Sequence, residues 1–380
     1  MKNFLKRWAT LTKKEQYIVI GVTLIVISVI SIGAYSFSGI GDRNKETQKE
    51  SQENKDNTTS DSILEPSEEK ITNASPLTGI QCDNYKQRPI AVMMAGDAVA
   101  RPLSGLSQAE IVVEMPVITG SVTRLMGVYV CNLPDEVGSI RSARHDYISL
   151  VRGWDAIYVH WGGSSFALDE LKTGKRYTGE DLGKVPDIDA ISSSGPFFRK
   201  STVPAPHNGF VSLPKVIDLA KKREYTLESN LEGYKFQSKK TIENATKDAK
   251  NGKLYVGFGG VFATSWEYNK DDNTYTRYWA GQKDVDRGNK DSEIKAKNIV
   301  VMRASSRQIE GQYNEVTIYG EGEGKVYHNG QEKNITWKKV GFKDTLRFYG
   351  ADDGQEILLV PGQTFIQVIE PGQNLKWELN

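Results

Sequence analysis

Residues 138–163 read GSIRSARHDYISLVRGWDAIYVHWGG, a helix-forming segment and a strand-forming segment set between glycines. Ser142 opens a helical stretch through Val151, and Ala156 to Trp161 is a strand candidate closed by Gly162 and Gly163. A helix joined by a short turn to a buried strand is a building unit of α/β and α+β folds. Upstream, Ile90 to Met94 is a continuous apolar run suited to a buried strand. Ile111 to Met115 and Val122 to Val130 are two more, parted by a turn near Thr119 and Gly120. Downstream, Ser165 can cap a short helix ending before Gly174, and Leu213 to Lys222 carries Pro214 where a helix begins. Residues 76–240 are therefore expected to form an α+β, α/β-like domain.

Beyond residue 245 the pattern changes. Runs at 254–264, 265–268, 275–279, 298–304, 314–319, 324–328, 334–339, 346–349, 357–360 and 364–370 are strand-like. Asp272-Asn273, Asn329-Gly330, Pro361-Gly362 and Pro371-Gly372 supply turn chemistry between them. Short strands at steady spacing predict a mainly β domain, barrel or sandwich, over 245–380. Trp266, Tyr268, Tyr275 and Tyr278 alternate there, either as an exposed glycan- or partner-docking face or as ordinary core.

Toward the N-terminus, Tyr17 to Gly41 holds no charged residue, a run long enough to cross a bilayer as a helix. Lys2, Lys6, Arg7, Lys13 and Lys14 precede it against the single Glu15, and such positive flanks stay cytoplasmic. The expectation is a cytoplasmic segment 1–16, one transmembrane helix over 17–40, and an extracellular C-terminal bulk at the plasma membrane. A cleaved signal peptide is the rival reading. Residues 41–75 are almost wholly polar, cannot bury enough to offset their ordering entropy, and read as a disordered tether.

With 49 basic against 48 acidic residues, no global field draws the chain onto nucleic acid. Four histidines and two cysteines in no ligand-type spacing give no metal site. No P-loop, dinucleotide fingerprint, nucleophile elbow or HExxH motif occurs, and no cofactor is implied. Cys82 and Cys131 are either bridged or two buried thiols.

What chemistry there is concentrates in the first region. Arg124 lies in a strand candidate, Arg141 and Arg144 flank Ser142 in GSIRSAR, and Arg101 and Arg199 stand beside proline-marked turns. Arginine forks near a helix N-terminus suit a carboxylate or phosphate. The competing reading pairs them with Glu110, Glu114, Asp135, Asp146 or Asp155. His160 ends a strand before Trp-Gly-Gly, and His207 lies in PAPHNGF beside Asn208. The two could act as general acid and base, or each could be a buried, hydrogen-bonded histidine.

RPLSGLSQAEIVVEMPV, SVTRLMGVYV, VGSIRSARHDYISL, WDAIYVHWGGS and PAPHNGF carry a resemblance, continued by KNIVVMRAS, YGEGEGKVYHNG and LVPGQTFIQVIEPG. They resemble the YerB-like family of bacterial predicted lipoproteins, built from a two-part domain of unknown function, over nearly everything from Pro76 to Asn380. The resemblance implies an envelope-attached, extracytoplasmic protein of Gram-positive type and brings no established reaction. No cysteine follows the apolar run closely enough to serve as a lipidation site, so the anchor departs from the lipoprotein pattern. The family's recurrent polar positions fall on Arg124, Arg141, Ser142, Arg144, His160, His207 and Asn208. The expectation is a tethered module that binds an anionic cell-wall glycan or peptide, with hydrolysis by His160 and His207 as its enzymatic form. The alternative is a non-catalytic scaffold that docks another envelope protein through the β region.

Overall fold

The computed structural model describes residues 73–120 and 122–379. The basic segment 1–16, the expected span 17–40 and the tether up to residue 72 lie outside the described residues. Among the described residues no helix is long and apolar enough to cross a membrane.

The first region contributes eight strands: β1 (Ile90–Ala95), β2 (Ile111–Pro116), β3 (Thr123–Tyr129), β4 (Val137–Gly138), β5 (Ile157–His160), β6 (Asp187–Asp189), β7 (Phe197–Arg199) and β8 (Gly209–Val211). Its helices are α1 (His145–Gly153), α2 (Ser165–Thr173) and α3 (Leu213–Lys222), followed by α4 (Lys239–Thr246). Local chemistry sets these boundaries. The Ser164 hydroxyl, one residue before the expected cap, accepts the Ala167 N–H, and Gly174 closes α2 at φ 80° where a side chain would strain. Pro214 occupies the first turn of α3, which buries Leu213, Val216, Ile217 and Ala220.

One ten-stranded sheet organises the molecule. Its order runs Arg347–Gly350, Gln331–Lys339, Gly320–His328, Asn298–Arg303, Thr364–Ile369, β2, β3, β1, β5, β6. Five of these strands come from beyond residue 245. They join the first region through the parallel pairing of Thr364–Ile369 with β2, in which Ile111 faces Thr364 and Val113 faces Ile366. The barrel or sandwich expected within 245–380 is thereby corrected. The runs NIVVMR and TFIQVI are buried almost throughout and need a strand on each side and a cover on each face. The segment 357–360 makes no strand; Leu359 forms an isolated bridge with Phe236.

Both faces of the large sheet are covered. On one, Met93, Met126 and Val113 pack with Tyr147, Ile148 and Val151 of α1. On the other lies a smaller sheet built on β9 (Gly252–Val256), β10 (Thr264–Asn269) and β11 (Thr274–Trp279), edged by Gln282–Lys283 and Leu375–Leu379. Its Leu254, Trp266 and Tyr275 pack onto Ile299, Val301 and Phe365, with the Trp266 and Phe365 rings 4.7 Å apart. Trp266 and Tyr275 are 0 % exposed and Tyr268 is 2 %, so three of the four alternating aromatics are core and form no docking face.

A polar network crosses this sandwiched interface. The buried Arg277 guanidinium on β11 donates to Glu114 on β2 at 2.7 Å and also to Asp284. Arg101 pairs with the same Asp284 at 2.7 Å. Glu114 further accepts from Thr123 at 2.9 Å and Gln367 at 3.1 Å, so both its oxygens are engaged. Cys82 and Cys131 form a disulfide, which ties the segment ahead of β1 to the end of β3.

Candidate functional site

The C-terminal ends of the parallel neighbours β1 and β5 meet the segment 139–144, which runs across both. Ala95 N–H donates to the Ser139 carbonyl, Arg141 N–H to that of Met93, and Trp161 N–H to that of Arg141. Ala143 N–H then reaches the Gly162 carbonyl. This lacing fixes Arg141 over the end of β1 and delivers Arg144 as the residue before α1, where no side chain caps the helix. Arg124 arrives from β3 by register, directly opposite Ala95. The loop between β7 and β8 brings His207, and Asp97 follows Gly96 past the end of β1.

These groups converge. Asp97 Oδ2 stands 3.9 Å from Arg141 Nε and 3.8 Å from His207 Nδ1. Arg124 Nη1 donates to the Ser142 carbonyl at 2.5 Å, and the Tyr147 hydroxyl donates to the Arg124 carbonyl at 2.6 Å. The Arg144 guanidinium lies 5.4 Å from the Tyr313 ring centre, a cation–π distance. Burial, then the charges of Arg144 and Arg141, lowers the Arg124 guanidinium to about 9, still protonated at neutral pH. Burial likewise lowers Arg144. His207 is held below the usual imidazole range by burial and by Arg141, with Asp97 pulling the other way.

The arrangement is short of negative charge. Among the described residues, of the three arginines only Arg141 has a carboxylate within 4 Å, and that is Asp97. Three guanidiniums less one carboxylate leave two positive charges uncompensated. Arg141 Nε, Arg144 Nε and His207 Nδ1 are buried without a hydrogen-bond partner. Buried polar atoms are ordinarily paired, so these unpaired atoms beside like charge set the cluster apart from the closed ion pairs elsewhere in the fold.

Not every expected residue takes part. His160 is 0 % exposed; its Nδ1 lies 2.8 Å from the Gly162 carbonyl and its Nε2 3.4 Å from Asp187. It is fastened inside the β5–β6 edge. Asn208 accepts from Arg199 at 2.6 Å, and Arg199 in turn stacks 4.3 Å over Trp161, so Asn208 braces the His207 loop. Ser142 contributes its carbonyl to Arg124. Arg101 belongs to the buried network described above. Asp97 and Tyr313 escaped sequence reasoning; only the position of Asp97, just past a glycine at a strand end, signalled it.

Comparison with known proteins follows the same division of the chain. The family described as "Protein of unknown function (DUF3048) N-terminal domain" matches residues 77–226, and its C-terminal domain matches residues 254–366. The chain belongs to the DUF3048 family. It is 28% identical over 299 residues to the protein of Bacillus subtilis (strain 168) named "Putative lipoprotein YerB", covering 78% of this chain and 86% of that one. The crystal structure of YerB from Bacillus subtilis is similar to it at a TM-score of 0.67 and 26% identity, over 78% of this chain and 96% of that chain. The family's two domains thus meet in one sheet here, and the arginine cluster falls within the N-terminal match.

Proposed function

We propose that this DUF3048 protein is an envelope-attached module that holds a phosphate or carboxylate of an anionic cell-wall glycan or peptide at Arg124, Arg141 and Arg144. The observation that carries the reading is the convergence of three guanidiniums with two charges uncompensated and with donor atoms left unpaired. Attachment to the outer side of the plasma membrane is supported by the apolar run at 17–40 and by a relative named as a lipoprotein. Arg124 is 6 % exposed and forms the floor, while the Arg141 side chain, 22 % exposed, meets the ligand first. Binding rather than hydrolysis is favoured, because His160 is fastened away and leaves His207 without a second imidazole.

The test uses the full-length chain in detergent and a soluble poly(glycerol phosphate) as probe. Binding is expected at low salt and to weaken steeply as salt is added. Arg141→Ala and Arg144→Ala should each lower affinity about tenfold or more, since a hydrogen bond to a charged group contributes about 1.5–3 kcal/mol. Failure to bind this polymer or a polyglutamate chain at low salt would sink the proposal.

A further inference from the structure

The outer face of the smaller sheet is built on a different principle from the arginine cluster. Strand alternation turns Lys253 and Tyr255 of β9, Ser265 and Glu267 of β10, and Thr276 and Tyr278 of β11 to the side away from the core. Ser265 faces Tyr255 on one neighbour and Tyr278 on the other, so two tyrosines stand in one row with a small residue between them. They are two strand spacings apart, roughly 9–10 Å. Tyr255 is 40 % exposed, and Lys253 Nζ lies 5.4 Å from both ring centres. Beside Tyr278 the surface sinks into a hollow of about 330 Å³ that reaches Asn269 and Lys295.

The charges on this face are already matched. Lys253 pairs with Glu267 at 2.9 Å, Lys283 with Glu293 at 2.5 Å, Lys295 with Asp272 at 3.0 Å, and Lys376, beside Tyr255, with Glu378. Four cations against four anions leave little net field to attract an ion. The hydrogen-bonding capacity remains: ammonium donors, carboxylate acceptors and the Ser265 hydroxyl line a row flanked by aromatic rings. An uncharged, polyhydroxylated chain answers both features, its hydroxyls bridging the paired ions and its pyranose C–H faces resting on the tyrosines.

We infer that this face is a second binding site, taking a neutral glycan chain that lies along the row Tyr255–Ser265–Tyr278. It is independent of the arginine cluster and would stand if that site bound nothing. The experiment titrates the full-length chain in detergent with two uncharged hexasaccharides, one of β-linked N-acetylglucosamine and one of β-linked glucose. At least one should bind, with an affinity that changes less than twofold between low and high salt, as expected where paired charges present little net field. Tyr255→Ala and Tyr278→Ala should each weaken binding about tenfold, whereas Tyr278→Phe keeps the ring and retains most of it. Ser265→Arg, which blocks the row without touching the core, should abolish binding, and Arg141→Ala should leave it unchanged. Absence of binding by both sugars at millimolar concentration overturns the inference. So does binding that collapses with salt, or that survives Tyr255→Ala, Tyr278→Ala and Ser265→Arg alike.

Discussion

Arg277 on β11 and Arg124 on β3 are both arginines sunk into a sheet, 0 % and 6 % exposed, yet their surroundings are opposite. Arg277 lies between Glu114 and Asp284, and those acids are themselves held by Thr123, Gln367 and Arg101. Arg124 has Arg144 and Arg141 as its stronger charged neighbours, with Asp97 opposing them more weakly, and its donor bond goes to a carbonyl. Ion pairs closed within the protein fasten the two sheets. A guanidinium left beside other guanidiniums makes the fold no stronger and is retained at a cost. The difference separates an arginine that closes the fold's own ion-pair network from one that the fold leaves open, as the proposed anion binding needs.

The largest effect should come from breaking the closed network. Glu114→Ala removes one partner and leaves Arg277 and Gln367 short of an acceptor in a buried interface, which should cost about 3–5 kcal/mol of stability. Urea denaturation of the full-length chain measures it. Arg141→Ala, at the open cluster, removes a charge that repels its neighbours and should change stability by no more than about 0.5 kcal/mol. If both variants lost comparable stability, the arginine cluster would be as structural as the network and the proposed division would fall.

A smaller effect sharpens the same contrast. Asp97 is the carboxylate serving both Arg141 and His207. Asp97→Asn should raise the affinity for poly(glycerol phosphate) several-fold, on the order of 1 kcal/mol for a partly exposed pair. It should also lower the His207 titration further, since Asp97 opposes the effect of burial and Arg141 there. NMR of the imidazole protons follows the second change. A fall in anion affinity would mean that Asp97 helps hold the ligand and has been given the wrong role.

How much of this was legible in the chain depends on the range of the interactions. Pro214 with Leu213, Val216, Ile217 and Ala220 writes α3 locally, and the observed helix has the expected bounds. The strands that follow carry equally local signals. The pairing of β2 with Thr364–Ile369 has no local signature, because residues some 250 positions apart must meet before the sheet can form. Hence local pattern alone predicts a separate barrel or sandwich where the structure has one shared sheet. The short helix α4 buries none of its residues, so it showed no apolar stripe to find. At the site, GSIRSAR and the strand at Arg124 stood out by composition. His160 and His207 looked alike beside glycine or proline, and only tertiary contacts tell them apart: β6 brings Asp187 and Asp189 to His160. Asp97 offered a single carboxylate after a glycine, which many turns share.

The smallest expected effect concerns the pH dependence of the open cluster. Its charged neighbours are Asp97, Arg141 and Arg124, and burial with the two arginines keeps His207 below the ordinary value of 6.5. Because the unfolded chain takes up that proton more readily, the unliganded protein loses stability from this group as pH falls through 6.5. A bound anion reverses the local field and raises the imidazole pKa, so binding takes up a proton. By linkage, anion affinity must then rise on acidification between the free and bound values, by at most about tenfold per pH unit. Titration of poly(glycerol phosphate) at pH 7.5, 6.5 and 5.5 and constant ionic strength should show a two- to threefold gain per unit, roughly, if coupling is partial. His207→Gln should bind as the parent does at pH 7.5 and lose the slope. Equal slopes in the two proteins would remove His207 from the anion site while leaving the three arginines in it.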